Sequence, residues 1–135
     1  PDVIHCQGWM SAVIPFYIKT AYADEPSFAN TKVVTSLFAE KFNGSLADNF
    51  KRCIEHRDAT IDKLEAYPES FDYDVLAKFA IDYSDSVIDT NEAVSEELRK
   101  YAAEKLGDKF VTCHDENLSE TYNSLYNALT EENGQ

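Results

Sequence analysis

Val3-Ile4-His5-Cys6-Gln7-Gly8-Trp9-Met10, near the start of PDVIHCQGWMSAVIPFYIKTAY (Pro1 to Tyr22), decides the reading of this chain. A short apolar run, Val3 to Cys6, is the mark of a strand buried on both faces. A Gln7-Gly8 turn follows. Trp9 then opens a segment to Tyr22 in which Val13, Ile14, Phe16, Tyr17 and Ile18 make a wide apolar face at helical spacing. Pro15 lies inside that segment, where it must either kink the helix or sit in its first turn. Strand, turn and helix in this order open an α/β unit, whose ligand-facing groups gather at the carboxyl end of the strand.

Working outward, the rest of the chain repeats the alternation. Asp24-Glu25-Pro26-Ser27 is a turn, since Pro26 biases Glu25 away from helix. Lys32 to Phe38, KVVTSLF, is a second buried strand. Asn43-Gly44-Ser45 breaks the chain, after which Leu46 to Ile54 shows helical spacing and Thr60 to Tyr67 reads as a short helix ending before Pro68. Asp74 to Tyr83 predicts a helix, and Ser86 to Asp89 a third strand. Asn91 is expected to cap a helix running to about Leu106, with Glu96 and Lys100 paired on its solvent side and Gly107 as its stop. Lys109 to Cys113 is the fourth strand, Leu118 to Leu129 a closing helix, and Thr130 to Gln135 a fraying tail. This order predicts an α/β fold: a parallel sheet with helices on both faces.

At 135 residues the chain holds one core. Its 44% hydrophobic and 13% aromatic content excludes disorder despite a net charge of −13. That charge, with no basic run, repels nucleic acid and acidic membrane surfaces alike. No apolar run is long enough to span a bilayer, and there is no signal peptide. Cys6, Cys53 and Cys113 are odd in number and widely spaced, which argues against a disulfide framework and for a reducing cytoplasm. The chain begins at Pro1 with a strand already under way, so we expect a part of a longer protein, its sheet incomplete at the amino-terminal side. An open sheet edge invites a homo-oligomer or a swapped arrangement.

Several phrases give the chain a likeness. The opening segment resembles the D-x-x-H-x-H-D-W-x-T-A signature of glycogen and starch synthases, through Asp2, His5, Trp9 and Ala12, with Ser11 at the threonine. AIDYSDSVIDTNEAVSEEL, Ala80 to Leu98, resembles the family's A-x-x-x-A-D-x-V-x-T-V-S-x-x-Y-A-x-E-I through Asp85, Val87, Asn91 (at the serine cap) and Glu97. IHCQGWM, YIKTAY, FANTKVV and FAIDYSDSVI are similar to phrases of a short Bacteroidetes-type subgroup. The resemblance covers most of the chain. It implies the amino-terminal, Rossmann-like half of a GT-B glycosyltransferase. It further implies glucosyl transfer from ADP-glucose to an α-1,4-glucan, with no cofactor and no metal. The family's K-T-G-G-L loop would lie upstream of Pro1 and its nucleotide-sugar domain downstream, so this chain alone is expected to be inactive. Gln7 and Gly8 stand where the family has its second histidine and its aspartate, and Leu37 and Phe38 stand where it has a strand-end histidine and asparagine. The alternative is a non-catalytic module of that fold binding glucan or a protein.

The candidate substrate-binding residues are His5, Gln7 and Trp9. No residue is assigned a catalytic role. His5 near the strand's end suits a hydrogen bond to a sugar hydroxyl, or it is a buried histidine bonded to neighbouring backbone. Gln7 suits a second hydroxyl. Trp9 either stacks on a pyranose ring or anchors the core. His5-Cys6 with Cys113-His114 has the donor types for zinc, but neighbours on a strand point to opposite faces. Cys113 with His114 as a nucleophile fails on the same geometry, and Cys6 and Cys53 read as small core residues. Glu96-Glu97 and Asp115-Glu116 read as solvated faces, and the Tyr122–Tyr126 stripe as packing.

Overall fold

The computed structural model describes residues 1–37, 42–91, 94–114 and 117–133. Phe38, expected to end the second strand, and Asp115-Glu116 lie outside the described residues. Four strands form one sheet: β1 (Val3–Gln7), β2 (Lys32–Leu37), β3 (Ser86–Asp89) and β4 (Phe110–Thr112). All neighbours are parallel, in the order β1-β2-β3-β4. Cys6 pairs with Thr35, Thr35 with Val87, and Ile88 with Val111. Both faces of the two inner strands are covered, and Val33, Val34, Val87 and Ile88 have no exposed surface.

Helices lie on both faces, as the alternation predicts. On one face sit α1 (Ile14–Lys19), α3 (Tyr73–Asp82) and α4 (Glu96–Leu106). Phe16 from α1 and Leu76, Phe79 and Ala80 from α3 share a core with Ile54, Leu64 and Phe71. Leu98 and Ala102 of α4 meet Ala77, Ile81 and Val87. The opposite face carries α5 (Leu118–Asn133), whose Leu129 packs on Val34, Ile88 and Cys113. Between the layers on the first face lie the single turn α2 (Phe50–Cys53) and a 3-10 turn, Ile61–Leu64.

Several local expectations change. The segment opened by Trp9 is a 3-10 turn, Trp9–Ser11, and then α1, with Pro15 in the first turn, where its missing N–H costs nothing. The helix expected over Leu46 to Ile54 shrinks to α2, and that over Thr60 to Tyr67 to its 3-10 turn. Segments this short gain little from helical propensity alone. Cys53, expected in the core, is exposed, whereas Cys6 and Cys113 are buried. β4 is shorter than Lys109 to Cys113, because Lys109 belongs to the turn Gly107–Lys109. The tail does not fray at Thr130: α5 runs on to Asn133, and the Thr130 hydroxyl donates to the Tyr126 carbonyl at 2.9 Å.

Asn91 does not cap α4. Ser95 does, its hydroxyl accepting from the Leu98 N–H at 3.3 Å, while the Asn91 carbonyl closes a preceding turn with the Val94 N–H at 3.0 Å. Glu97 in the first turn reaches across to Lys78 of α3 at 2.8 Å. Gly107, with φ of 58° and ψ of −120°, takes a positive-φ conformation that glycine allows, and it ends α4. Ser95→Ala is therefore expected to cost about 1 kcal/mol in urea unfolding, with Asn91→Ala costing well under half of that. The reverse order would return the cap to Asn91.

Candidate functional site

The carboxyl ends of the strands converge where β1 runs into the Gly8 turn. Gly8 has φ of 81°, a conformation that disfavours other residues there, although a Cβ would meet nothing within 4 Å. The Ser11 hydroxyl donates to the Gln7 carbonyl at 3.1 Å and the Gly8 carbonyl at 3.0 Å, which fixes the turn. Gln7 is exposed at the end of β1, where solvent or a ligand reaches its amide. Trp9 is half-buried on the α3 side, its ring 4.8 Å from that of Phe42. A small, partly open space lies behind it, lined among others by Gly8, Trp9, Thr35, Ser36, Leu37 and Tyr73. It offers about 20 Å³ to the centre of a water molecule, room for roughly one water.

His5 is not part of that space. Strand alternation turns Ile4 and Cys6 toward α1 and turns Val3 and His5 toward α5, so His5 and Trp9 stand on opposite faces of the sheet. His5 Nδ1 is hydrogen-bonded to the Tyr126 hydroxyl and Nε2 to the Ser36 hydroxyl at 2.5 Å. Ser36 in turn bonds the Tyr122 hydroxyl at 3.0 Å, and the Tyr122 ring meets the imidazole edge-on at 4.5 Å. The partners of this histidine are side chains, not the neighbouring backbone. Of the two tyrosines expected only to pack, Tyr126 hydrogen-bonds the imidazole and Tyr122 hydrogen-bonds Ser36. Of the three candidates, His5 and Gln7 lie two residues apart in β1, Gln7 exposed at its end, while Trp9 follows the Gly8 turn on the other face of the sheet.

Burial holds the His5 pKa below its ordinary 6.5. It also raises that of Tyr126, with the Tyr122 phenol adding to the effect. Both shifts favour the neutral forms of His5 and Tyr126. Because the folded His5 pKa lies below the unfolded one, the unfolded chain binds a proton first as pH falls. The stability from neutral His5 is present above about pH 6.5 and is lost as pH falls from there to the lower folded pKa. Urea midpoints between pH 8 and pH 5.5 are expected to drop for the natural chain and to flatten in His5→Gln. An unchanged slope would remove His5 as the titrating group.

A second polar cluster, not singled out by sequence reasoning, closes the ends of β3 and β4. Asp89 has no exposed surface. Its Oδ2 lies 2.7 Å from Arg99 Nε and 2.9 Å from His114 Nε2, and Arg99 Nη2 donates to the Asn91 carbonyl at 2.8 Å. The available signal was a carboxylate ending an otherwise apolar strand, where the resembled motif has threonine. At the other end of the sheet Asp85 accepts from the Val33 N–H at 2.7 Å and Lys19 Nζ at 2.6 Å, so this motif residue ties β2, β3 and α1 together. Cys6 faces away from His5, its thiol pushed up to about 11 by burial and so unreactive, and Cys113 accepts from the Thr121 hydroxyl at 3.4 Å. Among the described residues no three His, Cys, Asp or Glu side chains are placed to share a metal.

A parallel four-stranded sheet, helices on both faces and a glycine turn at the end of β1 define a Rossmann-like α/β domain. The sequence profile of the starch synthase catalytic domain matches residues 1–111, and the chain belongs to that family. It is 28% identical over 114 residues to a glycogen synthase of Clostridium perfringens, covering 73% of this chain and 20% of that protein. A glycogen synthase of Thermotoga petrophila is 30% identical over 111 residues, covering 81% of this chain and 21% of the relative. One from Photobacterium profundum is 46% identical over a shorter stretch of 44 residues, 33% of this chain and 9% of the relative. The chain thus spans about a fifth of the length of the first two relatives. No solved structure gives a significant match.

Proposed function

We propose that this chain is part of the amino-terminal, acceptor-side domain of a glycosyltransferase that moves glucose from ADP-glucose to the end of an α-1,4-glucan. The observation that carries the reading is the opening motif folded as β1, the Gly8 turn and Trp9, at the carboxyl end of a parallel sheet in a chain of the starch synthase family. Gln7 and Trp9 form the sugar-facing edge, and His5 lies behind it. In the whole protein such a domain holds the acceptor while a second domain presents the donor, so catalysis rests on positioning and charge stabilisation. The chain by itself is inactive. A cytoplasmic location suits a chain whose three cysteines form no disulfide and which has, among the described residues, no helix long and apolar enough to cross a membrane.

One observation favours a second reading, a glucan- or protein-binding module without catalysis. The space behind Trp9 admits one water, and Leu37 stands at its wall where the resembled family has a polar group. Trp9 is the chain's single tryptophan, so its fluorescence reports on this edge directly. Maltoheptaose is expected to shift Trp9 emission, and Gln7→Ala to weaken the effect several-fold. Unchanged emission, together with no retention of the chain on glycogen, would contradict both glucan readings.

β1 is an outer strand with a neighbour on one side only among the described residues, and its five residues carry no acidic side chain, lysine or proline to discourage pairing. We propose on this ground that the chain self-associates through that edge at high concentration. Sedimentation is expected to show a dimer that grows with concentration and with added salt, which screens the net charge of −13. A strictly monomeric profile at both salt levels would rule this out.

A further inference from the structure

His5 belongs to the opening motif, yet the fold sets it under a helix. Both imidazole nitrogens are occupied, one by Tyr126 of α5 and one by Ser36 of β2, and Ser36 is itself held by Tyr122 of α5. The helix that does this lies beyond the residues matched by the family profile, 1–111. It is lightly seated: of its apolar and aromatic side chains Leu129 is buried, at 2% exposure, while Leu118, Tyr122, Leu125 and Tyr126 stay half-buried. A helix with so little fully buried surface undocks at lower cost than the α1–α3 layer, where Phe16, Phe71 and Phe79 have none of their surface exposed.

We propose that α5 is a latch on the opening motif: docked, it holds His5 and Ser36 closed through its two tyrosine hydroxyls, and undocked, it releases both to ligand. That the ligand is a glucan rests on the function proposed above. The latch itself rests only on the geometry. Directional bonds suit a latch better than apolar contact, because the hydroxyls fix where the imidazole stands while α5 is down and leave a competent hydrogen-bonding pair when it lifts. The remaining apolar seat, centred on Leu129, supplies the closing force.

Carbethoxylation by diethylpyrocarbonate, read residue by residue on the whole chain by mass spectrometry, tests this with a control in the same molecule. His56 is exposed. In the natural chain His5 is expected to react about ten-fold or more slowly than His56, because reaction waits on local opening. Leu129→Ala loosens α5 without touching the imidazole and is expected to bring His5 several-fold closer to the His56 rate. Tyr126→Phe, which removes the hydroxyl but keeps the ring, is expected to act in the same direction should Leu129→Ala not fold. Maltoheptaose should then slow His5 again in the loosened variant. Acceleration without protection by maltoheptaose supports the latch and counts against the glucan reading alone. The proposal is overturned by a His5 that reacts as fast as His56 in the natural chain. It is equally overturned by a rate that neither variant changes while circular dichroism shows both folded.

Discussion

Asp89→Ala is expected to lower the stability of the chain by about 3 kcal/mol, at the low end of the cost of breaking a buried ion pair. The carboxylate has none of its side chain exposed, whereas Arg99 and His114 keep 28% and 24% of theirs, so both partners are already partly solvated and the upper end of the range does not apply. Removing Asp89 leaves a guanidinium beside a dry cavity and frees the link that runs from the end of β3 to α4 and to the segment after β4. The loss should appear as a fall of roughly 10 °C in melting temperature. Arg99→Ala in the same chain should recover part of it, since the uncompensated charge goes with the arginine. A cost under about 1 kcal/mol would show that solvent, not Asp89, satisfies Arg99 and His114.

Phe79→Ala is expected to cost about 3–5 kcal/mol, the largest effect of any single truncation we consider. Phe79 has no exposed surface and stands at the middle of an aromatic cluster. Ring centroids of Phe16, Tyr67, Tyr83 and Phe71 lie 5.1, 5.2, 5.5 and 5.9 Å away. Truncation removes the transfer energy of the ring and also opens a cavity that four stiff neighbours cannot close. Phe79→Leu, which keeps most of the volume, should cost no more than about 1–2 kcal/mol. Equal losses in the two variants, measured by urea unfolding, would mean that the cluster relaxes around the gap. The link to function is positional, because this cluster seats α1 and α3 beneath the turn that carries Trp9.

The sheet was legible because its signal is local. Val3 to Gln7, Lys32 to Leu37 and Ser86 to Asp89 are short β-branched runs bounded by turns, and parallel strands covered on both faces leave that pattern in sequence. The family was legible for a different reason, since phrases such as IHCQGWM and FAIDYSDSVI resemble those of known synthases, and the family profile covers residues 1–111. Helix starts were less readable: Asn91 and Ser95 are both good caps four residues apart, and only tertiary packing of Leu98 chooses Ser95. The weakest stretch, between residues 42 and 71, packs around Leu64 and Phe71, and the helical spacing read over Leu46 to Ile54 yields only the single turn α2.

The candidate site was legible in part. Gln7 ends β1 and Trp9 follows the Gly8 turn, so their place at the strand end follows from the chain itself. His5 lies two residues earlier than Gln7, on the face that α5 covers, and its partners Tyr122 and Tyr126 are more than a hundred residues away in sequence. A contact of that separation leaves no mark in local spacing. The Asp89 cluster escaped notice for the same reason, because Arg99 and His114 come from different elements.

The central claim is that this domain serves glucosyl transfer. Its most direct test is incorporation of labelled glucose from ADP-glucose into glycogen by the proposed longer parent protein, with the 135-residue chain and a His5→Ala parent assayed beside it. The account predicts incorporation by the parent, none by the chain alone, and a large loss in the His5→Ala variant. A folded parent that binds ADP-glucose and glycogen yet incorporates no glucose would contradict it.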